Sequence, residues 1–313
     1  MKERYEVSVV VVTYNPDWIK LERTLVSILL QKNTRFEIVV TDDGSQKKYR
    51  ESMEQLFERY GFNAYQIIDN KNNRGTVKNV QTGIRAATVK YIKTISPGDY
   101  LYHEYVLFDF VKYAEYLNAK VVFGNAVYYC LSKKNDICVL QRKASPQTLV
   151  AYMPDAPEKE QKVDYLVKDD LILGAALITE KTCLEKYIDL ISDKVIYAED
   201  NCYRLMVADG IRIVFCDNTM ILYEYGSGIS TKNDDIWNKR LQKDWQNTNR
   251  LICERLKEES TFNRKLKIVI NSAGIWKKIV RYALFPREYL KRKKPRYTIC
   301  QPDLTFFKKV IEA

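Results

Sequence analysis

Four short segments of the chain concentrate acidic, amide or hydroxyl side chains. They occupy residues 13–15 (Thr-Tyr-Asn), 42–45 (Asp-Asp-Gly-Ser), 96–99 (Ser-Pro-Gly-Asp) and 199–200 (Glu-Asp). Carboxylates bind divalent cations or remove protons from hydroxyl groups, and amide and hydroxyl groups can hydrogen-bond a nucleobase. These groups are candidates for what a nucleotide-sugar needs: contacts to its base, a cation at its diphosphate and a general base for the attacking hydroxyl.

Each segment also has a structural interpretation that the sequence alone leaves open. Residues 13–15, followed by Pro16, could form a strand-to-helix turn, and the acids at 42–43 could cap the next helix. Residues 96–99 could form a Pro-Gly turn with a capping aspartate. The acids at 199–200 could simply complement the partial positive charge of a helix N-terminus.

Apolar runs and helical patterns alternate along the first half of the chain. We expect strands at 7–13, 36–42, 64–69, 90–95 and 119–127, and helices at about 17–31, 46–60, 76–87 and 101–117. This alternation predicts an α/β fold with a mostly parallel sheet and helices on both faces. Ligands bind beyond the carboxyl ends of the strands in such sheets, so the polar segments should meet in one crevice.

The second half of the chain is less regular. Residues 131–167 are expected to form an irregular insertion or a hairpin, and residues 223–231 a flexible loop that could close over a bound donor. We expect strands at 171–178 and 211–216, and helices at about 180–191, from about 197 onward and at about 234–256.

Composition and cysteine usage exclude several protein classes. The 313 residues are 46% hydrophobic and 29% charged, which is typical of a soluble globular protein. No apolar run approaches the roughly 20 residues of a transmembrane helix, and no secretory signal is expected. Seven scattered cysteines and the single histidine, His103, indicate neither a disulfide framework nor a zinc site. We therefore expect a cytoplasmic protein.

The net charge of +11 is concentrated near the C-terminus. Residues 264–296 contain 12 Lys or Arg and one acid, Glu288, interleaved with aliphatic and aromatic residues, and include the run Lys-Arg-Lys-Lys at 291–294. This combination favours a helix on an anionic membrane surface. A solvated helix packed on the domain is the alternative. Nucleic-acid binding is not expected, because no DNA- or RNA-reading motif accompanies the charge.

The order and spacing of these motifs resemble those of the family-2 glycosyltransferases. The resemblance runs from Val7 to about residue 230 and rests on VSVVVVTYN, VVTDDGS, NNRGTVKNVQTGI, YIKTISPGDYL, LILGAALIT and YAEDNCYRLMVADG. It implies a GT-A-type nucleotide-sugar-binding fold. Residues 1–232 would be the catalytic domain, with a donor half at about 1–127 and an acceptor half at about 128–232. Residues 233–313 would be a helical, basic extension.

The resemblance also implies roles for individual residues. Asp200 matches the catalytic base of inverting members, with Glu199 beside it, and Asp43 is the favoured contact to the nucleobase. Gly75 and Asn79 match a family segment that lies beside the donor. The full set of implied donor-binding residues is Thr13, Tyr14, Asn15, Asp42, Asp43, Asn73, Lys78, Gly98 and Asp99.

The expected metal motif is depleted. Family members carry two or three acids there, whereas this chain has Ser96 and Gly98 at the first two acidic positions and only Asp99 remains. The resemblance implies Mn²⁺ or Mg²⁺ bound at Asp99, together with diphosphate oxygens and water, with lowered affinity.

The resulting hypothesis is an inverting, hexosyltransferase-type glycosyltransferase of surface-polysaccharide (capsule) synthesis, peripheral on the inner face of the cell membrane. It would move a sugar from a nucleoside-diphosphate sugar, by default UDP-linked, to a hydroxyl of a glycan or lipid-linked acceptor, with Lys78 stabilising the developing phosphate charge. One alternative is a relative that uses a metal-free mechanism or makes a simple glycolipid. The other is a catalytically weakened nucleotide-sugar-binding or scaffold protein of the same fold.

Overall fold

A computed structural model describes residues 6–132, 137–226, 228, 234–257, 260–290 and 296–313. Its strands form one sheet in the order β3-β2-β1-β4-β8-β6-β9-β5, with β7 paired to β6. The strands are β1 (Val7–Thr13), β2 (Phe36–Asp42), β3 (Tyr65–Asp69), β4 (Tyr91–Ile95), β5 (Tyr100–Leu101), β6 (Val121–Leu131), β7 (Ile137–Leu140), β8 (Leu177–Glu180) and β9 (Ile213–Glu224). The longest ladders, β1–β2 and β6–β9, are parallel, as are β1–β4 and β2–β3.

Helices cover both faces of this sheet. In chain order they are α1 (Trp18–Leu29), α2 (Arg50–Arg59), α3 (Thr76–Ala86), α4 (Val106–Leu117), α5 (Glu158–Lys162), α6 (Lys181–Ile191), α7 (Cys202–Ala208), α8 (Asp235–Arg255), α9 (Thr261–Asn271), α10 (Gly274–Leu284), α11 (Pro286–Leu290) and α12 (Thr305–Glu312). The α/β architecture with C-terminal helices that the alternating pattern predicts is thereby confirmed.

Burial of apolar side chains on both faces explains why β1 and β2 are almost continuously apolar. Successive strand residues point to opposite faces, and here each face meets a layer of helices. Val9 and Val11 of β1 pack with α1, α2 and α4, whereas Val10 packs with α3, α6 and α7. The sheet is therefore the middle layer of three, and the only places where these strands can meet a ligand are their ends.

The C-terminal helices belong to the same core. Leu251 and Ile252 of α8 and Leu266 and Val269 of α9 join the hydrophobic cluster that contains α3, α6 and α7. Phe306 of α12 returns to the opposite face and packs in the cluster that contains α1. The region expected to form an extension thus packs on both faces of the sheet.

Long-range pairing changes several of the predicted boundaries. The strand predicted at 171–178 is a 3₁₀ turn at Gly174–Ala176 followed by β8. The strand predicted at 211–216 extends to Glu224, because β9 continues its parallel pairing with β6. The helix predicted from 101 begins only at Val106, since Tyr100 and Leu101 pair with β9 instead. Ser227 and residues 229–231 of the predicted loop, and the basic run at 291–294, lie outside the described residues.

Gly75, the residue before α3, contacts the segment that leads to the acids at 199–200. Its φ of +91° suits glycine, and a Cβ there would lie 2.4 Å from the Cγ2 atom of Ile196 and 2.6 Å from its carbonyl oxygen. The backbone N–H of Val77 donates to the same carbonyl oxygen at 3.0 Å. This close approach connects the α3 N-terminus to the segment that precedes Glu199.

Replacing Gly75 with alanine tests this contact. Gly75→Ala should lower the free energy of unfolding by more than about 2 kcal/mol, because it adds both a clash and backbone strain. Gly61→Ala is the matched control: its φ is +62°, but nothing lies within 4 Å of the added Cβ, so it should cost only about 1 kcal/mol. Urea unfolding measures both, and equal losses would contradict the contact.

Candidate active site

The carboxyl ends of β1 and β2 are joined through Asp42. Its Oδ1 accepts a hydrogen bond from the Thr13 hydroxyl at 3.1 Å, and its Oδ2 accepts one from the Ser45 backbone N–H at 2.8 Å. The Lys48 ammonium and the Ser45 hydroxyl also bond this carboxylate. Burial alone would raise the pKa of Asp42, but the bonds from Lys48 and Ser45 outweigh it and hold that pKa below its usual range. Asp42 therefore acts as a charged structural link.

Asp43 fixes the loop before α3. Its two carboxylate oxygens accept the backbone N–H groups of Arg74 at 3.0 Å and Gly75 at 2.9 Å, and the side chain is almost completely buried. The Asn73 side-chain oxygen accepts the same Gly75 N–H at 3.1 Å. Asp43 thus orients the chain that reaches the Gly75–Ile196 contact.

Tyr14 and Asn15 stand at the surface beyond the end of β1. The Tyr14 side chain is 54% exposed, so its ring is accessible for stacking on a base. Asn15 has a φ of +45°, its N–H donates to the Ser45 hydroxyl at 2.6 Å, and its side-chain oxygen accepts the Gln46 N–H at 2.9 Å. These bonds hold the end of β1 against the end of β2, and the Tyr14 side chain between them remains exposed to solvent.

Two residues expected beside the donor have other partners. The Asn79 amide donates to the carbonyl oxygens of Thr13 at 3.1 Å and Thr41 at 3.2 Å. This buried side chain therefore links the ends of β1 and β2. The Lys78 ammonium bonds Asp193 at 2.8 Å and Ser192 at 3.2 Å, at the end of α6. As arranged, Lys78 does not face the residues at the ends of β1 and β2.

Glu199 and Asp200 lie at the edge of a small cavity near the end of β4. Thr94 of β4 and Gly174 line the same cavity, and a Cβ on Gly174 would lie 3.4 Å from the Asp200 Cβ. The preceding N–H groups of Ile196, Tyr197 and Ala198 donate to the buried Asp244 carboxylate at 2.7 to 3.1 Å. The acids therefore follow a segment held rigidly by α8.

The environment of these two acids favours their protonated forms. Burial, and then the charge of Asp200, raises the pKa of Glu199 to about 8. Burial also raises the pKa of Asp200, against backbone hydrogen bonds and the charge of Arg204, which lower it. A carboxylate with a raised pKa is a stronger proton acceptor once ionised, which suits a general base.

Asp99 points into the protein. Its backbone N–H donates to the Ser96 carbonyl at 3.0 Å, and its Oδ1 accepts the Glu224 backbone N–H at 3.1 Å. Burial raises the pKa of Asp99 to about 7, although the Glu224 N–H and the charge of Lys93 both lower it. This carboxylate secures the turn at 96–99 to β9, and that geometry disfavours the expected role of Asp99 as a metal ligand.

A second acid, Glu224, was missed by sequence reasoning. It ends β9, is buried, and both of its carboxylate oxygens bond the Lys20 ammonium, at 2.6 and 2.7 Å. A Cβ on Gly98, whose φ is +99°, would lie 2.4 Å from Glu224 Oε2. We name Lys20, Gly98, Asp99 and Glu224 the Gly98 cluster. The signal that could have identified Glu224 is a lone acid within the apolar and aromatic run 220–225.

The structure brings most of the predicted site residues to one edge of the sheet. Asp43 connects through Gly75 and Ile196 to Asp200, and Thr94, which lines the Asp200 cavity, lies two residues before Ser96. A larger surface concavity between α2 and the start of β3, lined by Glu51, Glu54 and Glu58 among others, lies at the opposite ends of the strands. We therefore assign the candidate site to the carboxyl edge.

The side chains present do not form a divalent-cation site. Within the described part of the chain, no group of three or more His, Cys, Asp or Glu side chains is placed to hold a metal ion. Asp99 is committed to a backbone N–H, and Glu224 is neutralised by Lys20. An ion held by one or two carboxylates and the donor phosphates would need Asp99 or Glu224 oxygens turned toward it. Here Asp99 Oδ1 faces a backbone N–H and both Glu224 oxygens face Lys20, so this arrangement does not fit such an ion.

Known structures share this fold. The S. aureus protein TarS in complex with UDP is 17% identical, with a TM-score of 0.58 over 84% of this chain and 69% of that one. TarS with UDP-GlcNAc is 14% identical, with a TM-score of 0.54 over 90% and 80%. The mannosyltransferase PcManGT from Pyrobaculum calidifontis, in complex with GDP-Man and Mn²⁺, is 15% identical, with a TM-score of 0.58 over 94% and 77%.

A sequence-family comparison agrees with the fold and with the motifs. The family model described as glycosyl transferase family 2 matches residues 8–168, which is just over half of the 313 residues. The matched region contains the ends of β1, β2 and β4. The chain belongs to glycosyl transferase family 2.

Proposed function

We propose that this protein is an inverting glycosyltransferase that moves a sugar from a nucleoside-diphosphate sugar to a hydroxyl of a glycan or lipid-linked acceptor in surface-polysaccharide synthesis. The observation that carries this proposal is the position of Asp200. It is a carboxylate with a raised pKa, at the cavity beside the end of β4, and it is connected through Ile196 and Gly75 to Asp43.

The donor would bind across the ends of β1 and β2. Tyr14 offers an exposed ring to the base, and Asn15 and Asn73 offer amide groups around it, while the buried Asp43 would hold the loop that carries Asn73. Relatives with the same fold bind UDP, UDP-GlcNAc and GDP-Man. UDP is our first choice of nucleotide, and the acceptor would approach from residues 128–232, the half that carries Gly174 and Asp200.

The reaction would be a single displacement. Asp200 accepts the proton of the acceptor hydroxyl, and that oxygen forms a bond to the anomeric carbon. The bond from the anomeric carbon to the β-phosphate oxygen breaks with its electron pair, so the nucleoside diphosphate leaves with the added negative charge. Positive groups near the diphosphate stabilise this charge most strongly in the transition state. The residues at 96–99 do not fit the expected Mn²⁺ or Mg²⁺.

The face of α10 that points away from the protein is apolar, which supports a membrane-surface role. Ile275, Trp276, Ile279 and Tyr282 are 50 to 72% exposed and lie on one side of the helix. The opposite side carries Lys277 and Arg281, which turn inward and bond Asp169. An amphipathic helix on the surface of a globular protein normally turns its apolar face to the core and its charged face to solvent.

An anionic bilayer is the partner that fits this surface. Exposed cations lie on α10 and on the helices before and after it: Lys278 on α10, Arg264 on α9 and Arg287 on α11. Apolar insertion combined with attraction of nearby cations to anionic lipid is the usual basis of interfacial helix binding. None of the described helices has the length and apolar character needed to span a bilayer. We propose that the protein associates reversibly with the inner face of the cell membrane, where it would bind a lipid-linked acceptor.

A weakened nucleotide-sugar-binding or scaffold protein is the second candidate. The replacement of the acidic motif by Ser96 and Gly98 favours it. A scaffold would bind donor without releasing nucleoside diphosphate, and the prediction for Asp200 separates the two.

Asp200→Asn should lower the rate of nucleoside-diphosphate release at least about 100-fold, because the amide cannot accept the acceptor proton. Asp235→Asn, at an exposed carboxylate that begins α8, is the control and should retain full activity. The release assay uses a panel of UDP-, GDP-, CMP- and TDP-sugars with a lipid-linked or glycan acceptor, and circular dichroism checks folding. Equal rates for Asp200→Asn and the unmodified protein would remove Asp200 from the mechanism.

The pH dependence of kcat provides an independent prediction. Because burial raises the pKa of Asp200, the base form is lost as pH falls through a value above the ordinary carboxylate pKa of about 4. We expect kcat to rise along an acid limb whose midpoint exceeds that value. The measurement is kcat at saturating donor from pH 4 to 9, with folding monitored at each pH. A midpoint at or below the ordinary value is the contradictory result.

Membrane association can be tested by removing the apolar face of α10. The double variant Trp276→Ala/Ile279→Ala should reduce co-sedimentation with phosphatidylglycerol vesicles several-fold, because interfacial binding scales with buried apolar area. Tyr116→Ala, at a residue 85% exposed on α4, should bind like the unmodified protein. Unchanged sedimentation of the double variant, or no sedimentation of the unmodified protein, would refute the membrane role.

A further inference from the structure

We propose that the Lys20 ammonium, held by Glu224 beside Gly98, takes the place of a divalent cation at the donor diphosphate, so that donor binding and transfer by this chain need no metal. This inference rests on the proposed function, since it concerns the same donor. It arises from the disagreement between the family's acidic motif and the side chains that the structure brings to residues 96–99.

The carboxylate missing from position 98 is supplied from another strand. Glu224 Oε2 lies 2.4 Å from the point where a Cβ on Gly98 would stand, so the Glu224 carboxylate fills the volume of an acidic side chain at that position. Asp99 accepts the Glu224 N–H and thereby fixes β9 against the turn. A side chain larger than glycine at 98 is therefore incompatible with Glu224 in its present position.

A cation is already bound to this relocated carboxylate. Both Glu224 oxygens bond the Lys20 ammonium, and the side-chain exposure is 28% for Lys20 against 7% for Glu224. The lysine is thus the member of the pair that solvent, and a ligand, can reach. An ammonium has three donors, so it can hold Glu224 and still donate to a phosphate oxygen.

The position of Lys20 along the chain directs it toward the expected diphosphate. It lies in the first turn of α1, which begins five residues after Thr13, and β1 pairs directly with β4, whose end leads to Gly98. Thr24, one turn further along α1, donates to the Asp99 carbonyl at 2.9 Å and accepts the Gly98 N–H at 3.1 Å. The helix and the turn are therefore locked together, and Lys20 projects at their junction.

The charges of the cluster resemble those of a metal site. A divalent ion and the two carboxylates that hold it have no net charge, but the positive charge faces the phosphate. The Lys20 ammonium and the Glu224 carboxylate also have no net charge as a pair, and the ammonium is the more exposed partner. The other charged groups near this corner are Asp99, Lys93 and Arg23, and Arg23 is close enough to Tyr100 to act on its charge. Lys93 is completely buried, and its ammonium donates to the Ala175 carbonyl at 2.7 Å. Lys93 cannot reach a ligand, whereas Lys20 is partly exposed and is the cation bonded to Glu224.

The experiment measures binding of UDP and GDP, with UMP and GMP as monophosphate references, by calorimetry on the full-length protein. It compares solutions containing EDTA with solutions containing Mn²⁺. We expect the diphosphates to bind more tightly than the monophosphates in EDTA, and Mn²⁺ to change the affinity less than about threefold. Diphosphate binding that requires Mn²⁺ would overturn the inference and leave the proposed function intact. Failure of all nucleotides to bind under both conditions would overturn both.

Variants assign the effect to the ammonium. Lys20→Met should weaken UDP or GDP binding in EDTA at least tenfold, equivalent to about 1.4 kcal/mol, and leave UMP or GMP binding unchanged. Lys20→Arg, which keeps the charge, should recover most of the loss. Lys90→Met is the matched control, because Lys90 also pairs with a single acid, Glu115, but at the other end of β4. Equal diphosphate affinity of Lys20→Met and Lys90→Met would contradict the role of Lys20.

Discussion

The candidate site depends on the two hydrogen bonds that the buried Asp43 carboxylate accepts from the backbone of Arg74 and Gly75. Hydrogen bonds to a charged acceptor inside a protein are strong, and two of them on adjacent N–H groups fix the direction of the chain. That direction brings Gly75 against Ile196, and only a residue without a side chain permits the approach. The position of Glu199 and Asp200 relative to β1 and β2 therefore depends on the buried Asp43 carboxylate just after β2, together with Asp244, which holds the segment before Glu199. The family's second-strand aspartate has a structural task here, whatever contact it makes with a base.

Two acidic groups flank the end of β4 from opposite faces of the sheet. Asp200 belongs to the layer of α3, α6 and α7, whereas Glu224 and Asp99 face the layer that begins with α1. Burial raises the pKa values of both acids in the first group. The second group is tied to Lys20 and to a backbone N–H. This division suits a reaction in which one side accepts a proton and the other side faces the departing diphosphate.

Sequence reasoning predicted the structure correctly where the local pattern of apolar and polar residues alone determines it. The bounds of β1 and β2 were predicted correctly, because a doubly buried strand is continuously apolar and ends at its first polar cluster. It failed where pairing with a distant strand decides the structure. Tyr223 and Glu224 precede a glycine-rich stretch and were assigned to a loop, but β6 extends its ladder to them. The role of Glu224 could not be seen in the sequence, because Lys20 lies 204 residues away and Gly98 lies 126 residues away.

The expectation for Asp99 illustrates the same limit. The sequence shows an aspartate at the last position of an acidic motif, and only the structure shows that its carboxylate turns inward to a backbone N–H of β9. Lys78 is comparable, since its spacing from Gly75 fits the donor side while its ammonium is bonded to Asp193. Spacing along a strand or helix predicts which edge of a sheet a residue reaches. It does not predict which partner the side chain selects there.

The central claim is that Asp200 acts as the base of a single displacement at the anomeric carbon. The most direct test is the anomeric configuration of the first product formed, read by proton NMR from the coupling constant of the transferred sugar. With an α-linked nucleotide-sugar donor, the account predicts a β-linked product. A product that retains the α configuration would contradict a single displacement and the assignment of Asp200 that rests on it.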